Sequence, residues 1–167
     1  WHHANPRTLV GTEQRFTTVV DLPDGERVTL IGYADRLELD HDGRVVVVDL
    51  KTGRTAPSGP KVLQHRQLGL YQYAVDHGAV DDRIPDARAG GAELVQIGLT
   101  QDGDAKVQKQ PAQLEDGPER DRLRAELGAA AAMLRAERFP AVVGDHCREC
   151  AFVSLCPARS AGSVISR

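Results

Sequence analysis

Four β-branched residues in a row, Val45-Val46-Val47-Val48, run directly into Asp49-Leu50-Lys51-Thr52-Gly53. An unbroken apolar run of this kind predicts a strand buried on both faces. Two apart on an extended strand, Asp49 and Lys51 point to the same side, with the Leu50 carbonyl between them. Upstream, Phe16, Val19, Val20 and Leu22 mixed with Thr predict a first strand over 13–21, and Pro23-Asp24-Gly25-Glu26 reads as a turn. Residues 27–40 alternate, with Val28 and Leu30 and then Tyr33, Asp35, Leu37 and Leu39, which predicts a long second strand and makes Gly32 a candidate bulge or bend. His41-Asp42-Gly43 turns the chain into a third strand over 44–50.

Beyond Gly53 the chain is rich in Thr, Pro, Ser and Gly as far as Pro60, a loop at the mouth of the strand end. Leu63, Leu70, Tyr73 and Ala74 recur at helical spacing and predict one helix over 61–77, with Gly78 as its C-cap. Residues 81–91 are polar and Gly-rich and read as an exposed connection. Leu94, Val95, Ile97 and Leu99 predict a strand over 93–100, and Asp102-Gly103 turns it into a weaker partner over 105–109. Residues 115–138, rich in Ala, Leu, Arg and Glu, predict the longest helix, which Pro140 stops. The order β-β-β-α-β-β-α predicts an α/β fold, a mixed central sheet flanked by helices, followed by a cysteine-containing C-terminal segment.

Composition narrows the classes. At 167 residues, 41% hydrophobic and 27% charged, the chain is expected to form a single domain over 1–167, with 140–167 a cysteine-rich segment packed on it. A net charge of -3 excludes a generally basic nucleic-acid coat, so any polyanion site is local. No segment approaches the ~20 apolar residues of a membrane span. Three clustered cysteines suit metal binding in a reducing cytoplasm better than a disulfide framework. The start at Trp1-His2-His3, without Met, leads us to expect a fragment of a longer protein.

Asp35 and Asp49 stand at comparable distances from the 40–43 turn, so the hairpin sets them side by side. Two carboxylates and the Leu50 carbonyl suit Mg²⁺ or Mn²⁺, hard cations that keep waters and bind phosphate. Lys51 would orient or deprotonate an attacking water and offset charge building on phosphorus. The competing reading is a solvated cross-strand ion-pair cluster of little energetic worth. Gln67 and Tyr71, four apart, share a helix face directed at the strand end, with Gly69 allowing close backbone approach. Arg54, Lys61, His65 and Arg66 form a local basic rim able to hold a DNA backbone.

The set Gly32-Tyr33-Ala34-Asp35, Asp49-Leu50-Lys51-Thr52 and Gln67-Leu68-Gly69-Leu70-Tyr71 resembles the RecB-like nucleases of the PD-(D/E)XK superfamily, over about Glu13 to Pro157. The resemblance implies a restriction-endonuclease-like fold, Asp35 and Asp49 as ligands of a divalent metal, Lys51 as the catalytic amine, and Gln67 and Tyr71 as an accessory pair that contacts DNA or supports the site. It also implies a further His or Glu ligand from an upstream helix. No helical pattern precedes the first strand, Glu13 and His2-His3 are poor substitutes, and this ligand is expected before Trp1.

Cys147-Arg148-Glu149-Cys150 followed by Cys156-Pro157 has the spacing found at the C-terminal end of iron-sulfur RecB-like nucleases such as the AddAB and AdnAB helicase-nucleases. The resemblance implies a structural [4Fe-4S] cluster whose fourth Cys lies far upstream. Three readings stay open: a fourth ligand upstream of this chain, a zinc site completed by His146, or three ordinary buried thiols. The expected function is a Mg²⁺- or Mn²⁺-dependent deoxyribonuclease acting on single-stranded DNA ends beside helicase motor domains, in end processing and recombinational repair. The alternative is a non-catalytic DNA-binding or scaffolding module of the same fold.

Overall fold

The computed structural model describes residues 1 and 4–158; the His2-His3 pair and the Ser/Gly-containing C-terminal end lie outside them. The chain forms β1 (Thr8–Asp21), β2 (Arg27–Leu39), β3 (Val45–Lys51), α1 (Gly59–Leu63), α2 (Arg66–Asp76), β4 (Ala89–Gln101), β5 (Asp104–Pro111) and α3 (Pro118–Arg135). The five strands make one mixed sheet in the order β1-β2-β3-β4-β5, parallel only between β3 and β4. This is the expected α/β architecture of a sheet with helices, and α1 and α2 form the crossover that a parallel pair requires.

Turn chemistry sets the register. Asp40 Oδ1 accepts the backbone N–H of Asp42 and of Arg44, and Gly43 adopts φ 75°, which closes the β2–β3 reversal. Asp102 and Gly103 both have positive φ, the geometry that a two-residue Asp-Gly hairpin between β4 and β5 needs. Val45 to Val48 are all buried, as the apolar run predicts. Val45 and Val47 join Ala34, Leu37, Leu94 and the α2 residues Leu68, Tyr71, Ala74 and Val75 in the main core. Val46 and Val48 face the other way, against Val95, Val107 and Trp1. Each fully buried Val or Leu contributes about 1.5–3 kcal/mol.

Several expectations are corrected. The helix expected over 61–77 is two helices. Buried Gln110 of β5 donates from Nε2 to the carbonyls of Val62, Leu63 and His65 at 2.9, 3.1 and 3.2 Å, satisfying the end of α1 so that α2 starts afresh. Gly32 makes no bulge: it pairs in register with Phe16, and a Cβ there would stand 2.6 Å from the Phe16 ring. The irregularity in this pair lies between Leu9 and Gly11. Close approach at Gly69 is by the Gln113 side chain, at 3.1 Å from an added Cβ, rather than by the strand end. The stretch 81–91 is partly core, because Ala87 and Ala89 are buried and β4 begins within it. β1 starts at Thr8, ahead of residue 13, since 8–14 finds its partner in the second half of β2.

Trp1–Gly128 is one compact unit, containing the sheet, α1, α2 and most of α3. Ala129–Arg167 is a second, holding the end of α3 and two 3₁₀ turns at Asp145–Glu149 and Val153–Leu155. Among the described residues no helix is long and apolar enough to cross a membrane.

Candidate active site

The β2–β3 ladder ends at the pair Arg36 and Val48. One residue further, the Asp35 side chain replaces the ladder: its Oδ2 accepts the Leu50 N–H at 2.7 Å. A strand residue directs its N–H and C=O to the same edge, so the Leu50 carbonyl faces the side from which Asp35 comes. Asp49, one residue back, has a side chain only 3% exposed, and its Oδ2 lies 2.6 Å from Lys51 Nζ. That approach is a close ion pair, with the Lys51 ammonium facing the nearly buried carboxylate. Burial raises the Asp49 pKa, the neighbouring Asp35 charge adds to the rise, and Lys51 opposes both.

Lys51 connects the strand end to α2. Its Nζ donates to Gln67 Oε1 at 3.1 Å, Gln67 Nε2 donates to the Tyr71 hydroxyl at 2.9 Å, and that hydroxyl donates to the Tyr33 carbonyl at 2.9 Å. One chain of hydrogen bonds thus runs from the end of β3 through α2 to β2, two residues before Asp35. Burial raises the Tyr71 pKa, against the Gln67 hydrogen bond and with the help of the Asp49 and Asp35 charges, so the hydroxyl keeps its proton and donates.

Sequence reasoning placed His65 only in the basic rim. It is half-buried at the start of α2, its Nδ1 is buried without a partner, and it interacts electrostatically with Asp49 and Lys51. Burial lowers its pKa and Lys51 adds to this, while Asp49 opposes, which keeps the imidazole neutral at neutral pH. Its position two residues before Gln67 was the available signal. A cleft of about 740 Å³ opens here, lined by Lys61, His65, Arg66, Gln67, Arg122 and Glu126. Arg66 is exposed and paired with Glu126 at 2.8 Å. Arg54 is exposed in the loop after β3, outside this cleft lining.

Among the described residues no group of three or more His, Cys, Asp or Glu side chains is arranged to hold a metal ion. The strand end still fits Mg²⁺ or Mn²⁺, since such ions are held by one or two carboxylates with water and phosphate filling the other positions. The nearly buried Asp49 carboxylate, beside Asp35 and raised in pKa by burial, is the group that such an ion would engage. The cysteines do not fit a cluster in the same way. Cys147 is buried, with its Sγ accepting the Gly144 N–H at 3.3 Å, Cys150 and Cys156 are half-exposed, and the three free thiols do not converge into a metal-holding group.

Residues 1–157 match the PD-(D/E)XK nuclease superfamily. The chain belongs to that superfamily. No curated protein matches by sequence. Among solved structures, the crystal structure of SSO0001 is similar, with a TM-score of 0.52 and 18% identity over 89% of this chain and 60% of the other. At that identity the likeness shows the fold alone, and this chain spans about 60% of the length of that structure. Membership in the PD-(D/E)XK superfamily points to nuclease chemistry.

Proposed function

We propose that the chain is a metal-dependent deoxyribonuclease that hydrolyses phosphodiesters of single-stranded DNA, as the RecB-like nuclease part of a cytoplasmic helicase-nuclease that processes DNA ends. The observation that carries the reading is the convergence of Asp35, Asp49, Lys51 and Gln67 at one strand end, with the Asp49 carboxylate nearly buried beside Lys51.

In this reading Asp35 and Asp49 would hold the metal with the Leu50 carbonyl. Bound there, a divalent ion supplies Lewis-acid stabilisation of the phosphoryl oxygens and a more acidic water. Lys51 presents its ammonium to the charge that builds on phosphorus, held in place by Gln67 rather than left to solvent. Tyr71 fixes the Gln67 amide so that its oxygen, not its nitrogen, faces Lys51. Lys61 and Arg122, with Arg66 at the rim, would take backbone phosphates along the cleft, and Arg54 would do so from the loop.

A non-catalytic scaffold would have no use for a nearly buried carboxylate whose charge is opposed by burial and by a second carboxylate, which is costly to keep. Degradation of single-stranded DNA that requires Mg²⁺ or Mn²⁺ and stops with chelator tests the proposal. DNA binding with no metal-dependent cleavage would favour the scaffold. The helicase-nuclease and [4Fe-4S] assignments rest on cysteine spacing alone. Iron and sulfide in anaerobically purified protein would support the cluster, and stoichiometric zinc would replace it with a zinc site.

A further inference from the structure

β2 outruns β3. Its pairing with β3 covers only Arg36 to Leu39, whereas its pairing with β1 continues to Arg27. The first half of β2 therefore has an edge free of β3, and Tyr71 of α2 reaches it through the Tyr33 carbonyl. Between them is an apolar cleft of about 470 Å³, lined by Phe16, Ile31, Tyr33, Gln67, Leu70 and Tyr71 among others. Gln67 and Tyr71 belong both to this cleft and to the hydrogen-bond chain that ends on Lys51, so the cleft is continuous with the candidate active site.

Two features single out what fits there. Tyr33 is 57% exposed and Ile31 63% exposed, a large apolar surface left open beside a polar centre. Tyr33 sits two residues before Asp35, about 6.6 Å along the strand, and Arg15 is its cross-strand partner in β1. An aromatic face, an adjacent guanidinium and a site for phosphate chemistry one step away match the repeat of base, phosphate and scissile phosphate in an unpaired strand.

We propose that Tyr33 is a stacking platform for the nucleobase next to the scissile phosphate, with Ile31 beside the base and Arg15 near its phosphate. This inference rests on the nuclease reading and deepens it, since a base stacks on Tyr33 only when it is unpaired. Every base has a π-face, so the subsite tolerates any sequence while selecting single strands over duplex. The Tyr33 backbone carbonyl, which holds Tyr71, is retained in any side-chain variant.

The test is binding without divalent metal, so its outcome is separate from cleavage. Short single-stranded oligonucleotides carrying 2-aminopurine are titrated with the chain and with Tyr33→Ala, Tyr33→Phe and Tyr33→Trp variants. Expected are quenched fluorescence with the wild type, Tyr33→Phe and Tyr33→Trp, and binding about 5- to 150-fold weaker with loss of quenching in Tyr33→Ala. An abasic nucleotide at the responding position should erase the difference between wild type and Tyr33→Ala. Equal affinity and quenching in Tyr33→Ala would overturn the proposal. So would unchanged DNA binding accompanied by altered self-association, which would make the β2 edge a protein-docking strand. Failure of metal-dependent cleavage with the stacking signal intact would instead count against the nuclease reading alone.

Discussion

Lys51 Nζ donates to Gln67 Oε1 at 3.1 Å, joining the end of β3 to the first turn of α2 across sixteen residues of chain. Lys51 is also ion-paired to Asp49, so Gln67 decides whether the ammonium stands beside the carboxylates or swings onto Asp49 alone. Gln67→Ala is expected to lower kcat about 10²-fold, the scale of a small misplacement of a catalytic group, while leaving the thermal midpoint nearly unchanged. Steady-state kinetics beside a melting curve check it. A rise in KM with unaltered kcat would mean that Gln67 only binds substrate.

Asp49 gives a pH dependence whose sign follows from its raised pKa. The folded protein holds this proton more tightly than the unfolded chain, so stability falls as pH rises from the ordinary Asp range, near 3.8, through the raised folded value, and is level above it. Asp49→Asn should therefore raise the thermal midpoint at neutral pH by on the order of a few °C and lose that advantage in acid. Mg²⁺ should raise the midpoint of the wild type but not of the variant. Calorimetric melts across pH, with and without metal, measure both.

Gly32 and Phe16 make a packing prediction. An added Cβ at Gly32 meets the Phe16 ring at 2.6 Å, and that ring is edge-on to Tyr71 at 6.1 Å between centroids. Gly32→Ala is expected to cost about 1–3 kcal/mol by overpacking. Phe16→Leu in the same chain should recover part of the loss, and a double-mutant cycle in urea would show the coupling. Strictly additive effects would place the strain elsewhere.

Away from the strand end, fully buried Arg120 of α3 pairs with Asp76 at the end of α2 and lies 5.0 Å over the Tyr73 ring. Asp76 also accepts the Ala89 N–H at 2.8 Å, where β4 begins. Asp76→Ala leaves a buried guanidinium unpaired and should cost about 3–5 kcal/mol. Arg120→Met should cost less, because Asp76 can reach water. Urea unfolding of the two variants distinguishes them.

Much of this was legible in the chain because local signals agreed. The Val45–Val48 run, the Asp-Gly turns and the 67–71 spacing each name an element and point at the same strand end. What stayed hidden depended on partners distant in sequence. The break at Gln64-His65 is made by Gln110, and the apolar spacing continues through it unchanged. Gly32 read as a bend because the ring that requires it comes from β1. His65 looked like one more rim cation because its burial and its nearness to Asp49 arise only after α1 and α2 are folded. The cysteine spacing was equally visible, and Cys147, Cys150 and Cys156 are free thiols.

The most direct test of the account is the cleavage of single-stranded DNA by the chain with Mg²⁺ or Mn²⁺, run beside Asp49→Ala and Lys51→Ala. The account predicts metal-dependent phosphodiester hydrolysis in the wild type and a loss of about 10³-fold or more in each variant, with the fold intact by circular dichroism. Cleavage that survives both substitutions, or that proceeds equally in chelator, would contradict it.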